Sequence, residues 1–515
     1  MSLTIEDAKS LTKEQLIEFY QKQLQEKDEA LEEQKFLAQN LQEQLDSALR
    51  RIFGRSTEKL EQLEPGQMYL FQVDTPKHVP EEFEIIDEPK PKKKPKRKKI
   101  VFEGPVEEIL ITPEVADLSC DSCHSEMETF GDERTQIYEY IPAKTIVKEI
   151  VRPKYACRKC QNQVVIATMP SLPIPRSNAG YGLLSHILVS KYQDHLPLNR
   201  LCEIFKRHGM EFKLSTMSDW MMKCAELLKP IVDYMKEEVL KSEYIYTDDT
   251  TILVLGKKKD KTKLGRLWVY LGDDDHPYNT FEYSPNRKGE HPQNYLQNYK
   301  GFIHADAYAG YNPIYKEGAT EVACWAHTRR KFFDAFKNGH ESAKEALEQI
   351  AKLYLIEREG KLLSPSERKK LRQEKSKAIL ANFKTWLQTQ KPPSRSDYGR
   401  AVTYATNQWE ALNAYTMDGK LNIDNNPAEQ SLRFIAIGRK NWLFAGSDRG
   451  GHAAATICSL MATCKRHKVD PYAYIHDALT AQAKARDSGD ATSMREFTPL
   501  RWKELRHGIE TEQSS

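Results

Sequence analysis

The stretches EYIYTDDTTILVLG (243–256) and GFIHADAYAGY (301–311) are rich in β-branched and aromatic residues and follow the period of strands. The polar run KKKDKTKLG (257–265) turns the first of them into RLWVYLGDDD (266–275), and NTFEYSPNR (279–287) follows as a third strand. GEHPQNYLQNY (289–299) fits a helix, GFIHADAYAGY gives a fourth strand, and TEVACW (320–325) gives a fifth. Three strands, a helix, a strand, a helix and a further strand is the order of a ribonuclease-H-like fold. In that fold the first and fourth strands are neighbours.

Acidic residues fall on those two strands. Alternation puts Asp248 and Asp249 on opposite faces, so one of them is expected to point into a shared site. Phe302, His304 and Asp306 share a face of the fourth strand, with Asp306 at its C-terminal end. Carboxylates on both strands, joined by a third from a later helix, suit two Mg²⁺ (or Mn²⁺) ions about 4 Å apart across a scissile phosphate. Such hard ions take oxygen ligands. The run of Asp at 273–275 reads as a turn.

The third carboxylate lies in LNIDNNPAEQSLRFIAIGRKNWLFAGSDRGG (421–451). Asn426 is a candidate helix cap with Pro427 at the first position, which puts Glu429 three residues after the cap. A capping-box glutamate, or an ion pair with Arg433, explains Glu429 without catalysis. The same first turn also suits a metal-binding carboxylate in a cleft, with Arg433, Arg439 and Lys440 as phosphate contacts. These residues alone leave both readings open.

Between Asp306 and Glu429 the chain is too long for the bare fold. The excess, about 340–420, is charged and helix-compatible, and is expected to be an inserted helical subdomain. Upstream, LNRLCEIFKRHG (198–209) ends at Gly209, and LSTMSDWMMKCAELL (214–228) restarts with Ser215 as a candidate cap. Helix, short turn and second helix is the layout of a helix-turn-helix, with Lys206, Arg207, His208 and Lys213 as positive charge for a DNA backbone. Any two amphipathic helices share that outline.

Cys120-Asp-Ser-Cys123 and Cys157-Arg-Lys-Cys160 flank a strand-rich segment and suit a closed, structural Zn²⁺ site of four cysteines. Residues 56–105 run from acidic to basic, ending in PKPKKKPKRKK (89–99), and form a linker or arm. Ile17, Tyr20, Leu24, Leu31, Ala38, Leu41, Leu45, Ala48 and Ile52 lie on one seam of a helix within 1–55, a coiled-coil face that Lys27 and Gln34 interrupt. The expected architecture is thus multidomain α+β. A coiled-coil helix (1–55) and linker (56–105) precede a zinc ribbon (106–170) and a helix-turn-helix region (171–235). A catalytic α/β domain (236–485) and a tail (486–515) follow.

A length of 515 residues allows three or four folded units. The net charge of +3 is too small to announce a nucleic-acid partner, so only local Lys and Arg clusters bear on that question. Nine cysteines, four of them in CxxC pairs, read as metal binding in a reducing compartment; Cys202, Cys224, Cys324, Cys458 and Cys464 are scattered. No apolar run is long enough for a membrane span and the first residues lack the build of a signal peptide, so a cytoplasmic protein, nucleoid-associated when bound to DNA, is expected.

RRIFGRSTEKL (50–60), the two CxxC pairs, YQDHLPLNRLCEIF (192–205), YTDDT, GFIHADAYAGYN, ACWAHTRRKFFDA (323–335) and NNPAEQSLRFIAIGRKNWLFAGSDRGG (425–451) together resemble the transposase of the bacterial insertion sequence 66 family, over nearly the whole chain. The resemblance implies a DDE transposase with Asp248, Asp306 and Glu429 as metal-binding triad, although Asp249 stands where the family pattern has Glu. It supports zinc at the four cysteines and binding of double-stranded element ends and target DNA. A homodimer or higher oligomer and small accessory proteins of the same element are implied partners. Cys324-Trp-Ala-His327 resembles a CxxH element of several DDE groups and is read as structural, since no second ligand pair is evident nearby; Arg329 and Arg330, just beyond, are expected to face DNA. Two rivals remain at this point: a non-catalytic zinc and helix-turn-helix DNA-binding protein, and a nuclease of the same fold without strand transfer.

Overall fold

The computed structural model describes residues 146–156, 164–256, 262–489 and 494–513. The expected coiled coil, the linker, and Cys120, Cys123, Cys157 and Cys160 lie outside them. Two short strands, β1 (Lys154–Ala156) and β2 (Val164–Ile166), pair antiparallel on either side of the Cys157–Cys160 segment. No described helix is long and apolar enough to cross a membrane.

A mixed sheet forms the centre of the protein. Its strands are β3 (Tyr244–Leu255), β4 (Thr262–Leu271), β5 (Asn279–Ser284), β6 (Phe302–Ala305) and β7 (Thr320–Ala323), in the order β5-β4-β3-β6-β7. The first three are antiparallel neighbours, whereas β6 and β7 run parallel to β3. A two-residue strand, β8 (Phe444–Ala445), pairs parallel with β3 at Leu253 and Val254. Ile252, Val254, Leu267, Trp268, Val269 and Tyr270 are fully buried, so the β3–β4 hairpin supplies much of the core. Burying these side chains is the main force holding the sheet to its helices. Asp273 accepts hydrogen bonds from the amides of Glu243, Asp275 and His276, which makes the expected turn of the acidic run 273–275 a capped one.

Helices pack on both sides. Upstream of the sheet come α1 (Tyr181–Tyr192), α2 (Leu198–Arg207) and α3 (Leu214–Val239). Gly209 sits at φ +80° between α2 and α3, a conformation that glycine adopts at little cost. Ser215 is not the cap of α3: the helix begins one residue before it, because the Lys213 carbonyl already accepts from the amides of Thr216 and Met217. Met217, Trp220, Met221, Cys224, Leu228, Ile231 and Met235 bury one stripe of α3 in the same core as the sheet.

Two short helices, α4 (Glu290–Tyr295) and α5 (Asn312–Lys316), precede and follow β6, and α6 (Trp325–Lys337) follows β7. The expected insertion comprises α7 (Ala343–Glu359), α8 (Pro365–Leu371), a π-type turn (Arg372–Ser376), α9 (Lys377–Thr389), α10 (Asp397–Asn407) and α11 (Trp409–Asn413). The chain then returns to the sheet in α12 (Asn426–Trp442), followed by α13 (Asp448–His467), α14 (Pro471–Ser488) and α15 (Pro499–Gln513).

An edge strand leaves backbone groups without partners. Here α13 covers β5, and its hydroxyls take over: Ser459 Oγ accepts from the amide of Phe281 at 2.8 Å and Thr463 Oγ1 from that of Asn279 at 3.1 Å. Ala453, Ala454, Ala455 and Ala462 keep α13 thin enough to come that close.

Within the insertion one buried side chain gathers several segments. Arg372 is fully buried, forks onto Glu357 at 2.6 and 2.7 Å, and donates to the carbonyls of Tyr415, Asp418 and Leu421. Leu421 begins the segment that leads into α12. Removing one member of a buried, hydrogen-bonded ion pair strands the other, at a cost of about 3–5 kcal/mol. Arg372→Ala is therefore expected to lower the thermal midpoint and expose the 357–421 segment to proteolysis, and Arg372→Lys to recover only part; unchanged melting would contradict this role.

Candidate active site

One edge of β3 is only partly covered. β6 pairs with Tyr244–Tyr246 and β8 with Leu253 and Val254, leaving the residues between with no strand partner on that side among the described residues. Helix α12 fills the interval with side chains. Asn425 Nδ2 donates to the Thr247 carbonyl at 2.9 Å; Arg439 donates to the Thr251 carbonyl and, at 2.7 and 3.1 Å, to the hydroxyls of Thr251 and Thr250.

Asp248 on β3 and Asp306 at the end of β6 lie on the two adjacent strands at this opening. Tyr246 is in register with His304, so continuing two residues brings Asp306, the first residue past β6, level with Asp248. Asp248 feels the charge of Asp306. Burial, with the charges of Asp306, Asp249 and Glu429 adding to it, pushes Asp248 up to about 7, against the opposing hydrogen bond from the Asp249 amide. Burial raises Asp306 as well, against the pull of Arg287. Glu321 of β7 is a further acid here, pushed up to about 7 by burial and by Asp306. Beneath them His304 is buried and stacked on Tyr246 at 4.3 Å, and burial lowers it to about 3, so it stays neutral.

Asp249 is engaged differently. Its oxygens accept from Arg266 Nη1 at 2.8 Å and Arg287 Nε at 2.8 Å, and Arg287 Nη2 lies 3.4 Å from Asp306. The Arg287 guanidinium stacks over the Tyr308 ring at 4.3 Å, while the Tyr308 hydroxyl bonds the Arg287 carbonyl. Sequence reasoning passed over Arg287, Arg266 and Glu321, since nothing local marks a loop arginine as reaching two acids on separate strands.

Glu429 projects from the first turn of α12. The expected cap is displaced: Asn425 occupies the cap position and spends its side chain on Thr247, while Asn426 is held by Asp424 through its amide and Nδ2. Glu429 is therefore not a capping-box residue, and its ion-pair partners are His327 at 3.6 Å and Arg330 at 3.8 Å rather than Arg433. Cys324 is the residue before α6, and its Sγ accepts from the Asn425 amide at 3.2 Å. Burial raises its thiol to about 12 and lowers His327. Cys324, His327 and Glu429 have ligand atoms within 4.8 Å of one another, the one such group among the described residues.

The expected DNA-facing cations divide into two sets. Lys206, Arg207 and Lys213 are exposed around the α2–α3 turn, and Arg330, Arg433 and Lys440 are exposed near α12. Arg439 is instead occupied with β3, and Arg329 is half-buried over the Phe333 ring.

Comparison with known proteins agrees with the resemblance carried by the motifs. The family model described as Transposase IS66 family matches residues 176–453. A zinc-finger binding domain of transposase IS66 matches residues 117–161, and a domain described as Transposase C of IS166 homeodomain matches residues 40–109. Among similar chains from Sinorhizobium fredii, uncharacterized protein y4hP is 33% identical over 438 residues, covering 80% of this chain and 78% of that one. Uncharacterized protein y4qI is 34% identical over 415 residues, with 77% and 76% covered. The matched region spans the whole of the sheet except its flanking C-terminal helices, together with Asp248, Asp306 and Glu429, and the chain belongs to the IS66 transposase family.

Proposed function

We propose that the protein is a DDE transposase. It binds the terminal inverted repeats of an insertion sequence as double-stranded DNA, hydrolyses phosphodiester bonds at the element ends, and joins those ends to target DNA. The observation that carries the reading is that β3 and β6 part just after Tyr246 and His304, two residues before Asp248 and Asp306 on adjacent strands, with α12 clipped to the same edge. The sheet order fits a ribonuclease-H-like catalytic domain. In this reading Asp248, Asp306 and Glu429 hold Mg²⁺ or Mn²⁺.

The donor set is all carboxylate oxygen, which suits a hard divalent cation. The electrostatics also suit one: burial, with the neighbouring acids adding to it, pushes Asp248 up to about 7, and a bound cation would offset both. When bound, the metal supplies activation of a water or 3′-hydroxyl and stabilisation of the leaving oxygen. Asp248 and Asp306 supply the ligating oxygens. Asp249 anchors Arg266 and Arg287 and leaves Arg287 at the rim to meet a phosphate oxygen. The exposed cations near α2–α3 and α12 provide backbone contacts, and the zinc-finger domain, with Cys120, Cys123, Cys157 and Cys160 as ligands, adds to end binding. Two element ends must be held at once, for which a dimer joined by the N-terminal helix is proposed. Small accessory proteins of the element are proposed partners.

Strand-transfer assays on a duplex carrying the element end test this reading. Asp306→Asn and Asp248→Asn are expected to lower Mg²⁺-dependent cleavage and joining on the order of 10²-fold or more, with end binding retained. Asp249→Asn should keep measurable cleavage. Full activity in Asp306→Asn would refute the site, and cleavage without joined product would leave a nuclease.

The raised Asp248 also gives a pH signature. An acid whose folded pKa lies above its unfolded value costs stability as pH rises between the two, here from about 4 to about 7. Without divalent ions, Asp248→Asn is expected to raise the melting temperature at pH 8 and to leave it unchanged at pH 3. Mg²⁺ should stabilise the wild type more at pH 8 than at pH 6. Equal shifts at all pH values would contradict the assignment.

A further inference from the structure

Cys324 and His327 stand at i and i+3 across the β7–α6 junction, which by sequence gives half of a metal site. The structure brings Glu429 to them from α12, with all three ligand atoms inside 4.8 Å. We propose that Cys324, His327 and Glu429 form a zinc site that fastens the first turn of α12 to this junction. It is a second site besides the four cysteines, and it shares Glu429 with the proposed Mg²⁺ triad, so it describes the protein with Glu429 turned towards Cys324 and His327.

Three observations support the site. First, its polar atoms are stranded: His327 Nδ1 and Glu429 Oε1 are buried with no hydrogen-bond partner among the described residues. The approach of His327 Nε2 to Glu429 Oε1, 3.6 Å, is too long for a hydrogen bond. Leaving buried polar atoms unsatisfied is costly, and a cation between them would remove that cost. Second, the donors are sulfur, nitrogen and oxygen. A hard ion such as Mg²⁺ discriminates against thiolate and imidazole, whereas zinc accepts all three. Third, charge closes: thiolate and carboxylate together balance a divalent ion, with neutral imidazole as third ligand.

The surroundings fit a ligating set. The Asn425 amide donates to Cys324 Sγ, the orientation that supports a thiolate, and the same Asn425 holds β3 through its side chain. Arg330 lies beside Glu429 Oε2, leaving Oε1 to the zinc. Bonds of about 2.0–2.3 Å require the three ligands to close in by roughly an ångström, within side-chain reach. On binding, Cys324 Sγ gives up its proton to solvent as the zinc–sulfur bond forms, so uptake releases one proton. Three protein ligands leave a fourth position for water.

Zinc content of the full chain, dialysed against metal-free buffer, tests the proposal. Wild type is expected to carry about one equivalent more than Cys324→Ser or His327→Ala. Asp306→Asn should keep that equivalent, so loss of the proposed nuclease centre and loss of this site are distinguishable. Because Cys324→Ser removes a buried group, cobalt substitution gives a second readout in a chain whose Cys120, Cys123, Cys157 and Cys160 are serine. There, Co²⁺ should give a single-thiolate charge-transfer band that weakens in Glu429→Gln. Unchanged zinc in Cys324→Ser and His327→Ala, or no thiolate band with cobalt, would overturn the proposal.

Discussion

Between Tyr246, where β6 stops pairing, and Leu253, where β8 begins, the edge of β3 takes its hydrogen bonds from α12 instead of from a strand. A neighbouring strand would satisfy the same carbonyls but would fill the space that Asp248 and Asp306 face. Side chains from a helix satisfy them and leave an opening. Asn425 and Arg439 grip β3 four residues apart, at Thr247 and Thr251, so the helix is fixed at both ends of the gap. Glu429 then rides on a helix whose position relative to the strand acids is set by backbone hydrogen bonds. Arg372 in turn fixes the end of the insertion, bonding the Leu421 carbonyl just upstream of α12.

That arrangement concentrates negative charge. Asp248, Asp249, Asp306, Glu321 and Glu429 come from four elements, and the cations among them are few: Arg266 and Arg287 serve Asp249, with Arg287 also reaching Asp306. Asp248 is left without a basic partner among the described residues and resists ionisation. Active sites commonly hold such frustrated groups, because a bound cation relieves the frustration only when it arrives. Arg287, pinned over Tyr308, partly neutralises the acids and would still be at hand for a phosphate.

The sheet was legible from sequence because its strands are long in β-branched and aromatic residues and separated by polar turns. Asp306 was legible for the same reason, since the end of β6 follows from the hydrophobic run before it. The start of α12 was misjudged by one residue. Two adjacent asparagines offer the same capping chemistry, and only tertiary structure shows that Asn425 serves β3 while Asn426 serves Asp424. Strand alternation put Asp248 and Asp249 on opposite faces, with one of them expected to point into a shared site. Both are engaged, because Arg287 reaches Asp249 from the loop after β5. The approach of Glu429 to Cys324 and His327 was invisible, as residues so distant in the chain are brought together only by the return of the chain after the insertion.

The central claim is that the carboxylates on β3, β6 and α12 grip hard divalent cations. Crystals soaked in Mn²⁺ and measured at the manganese absorption edge test it most directly. The account predicts anomalous density bonded to oxygens of both Asp248 and Asp306 at about 2.2 Å, with Glu429 completing the shell on at least one ion. Manganese bound elsewhere, with Asp248 and Asp306 left uncoordinated at saturating concentration, would contradict it.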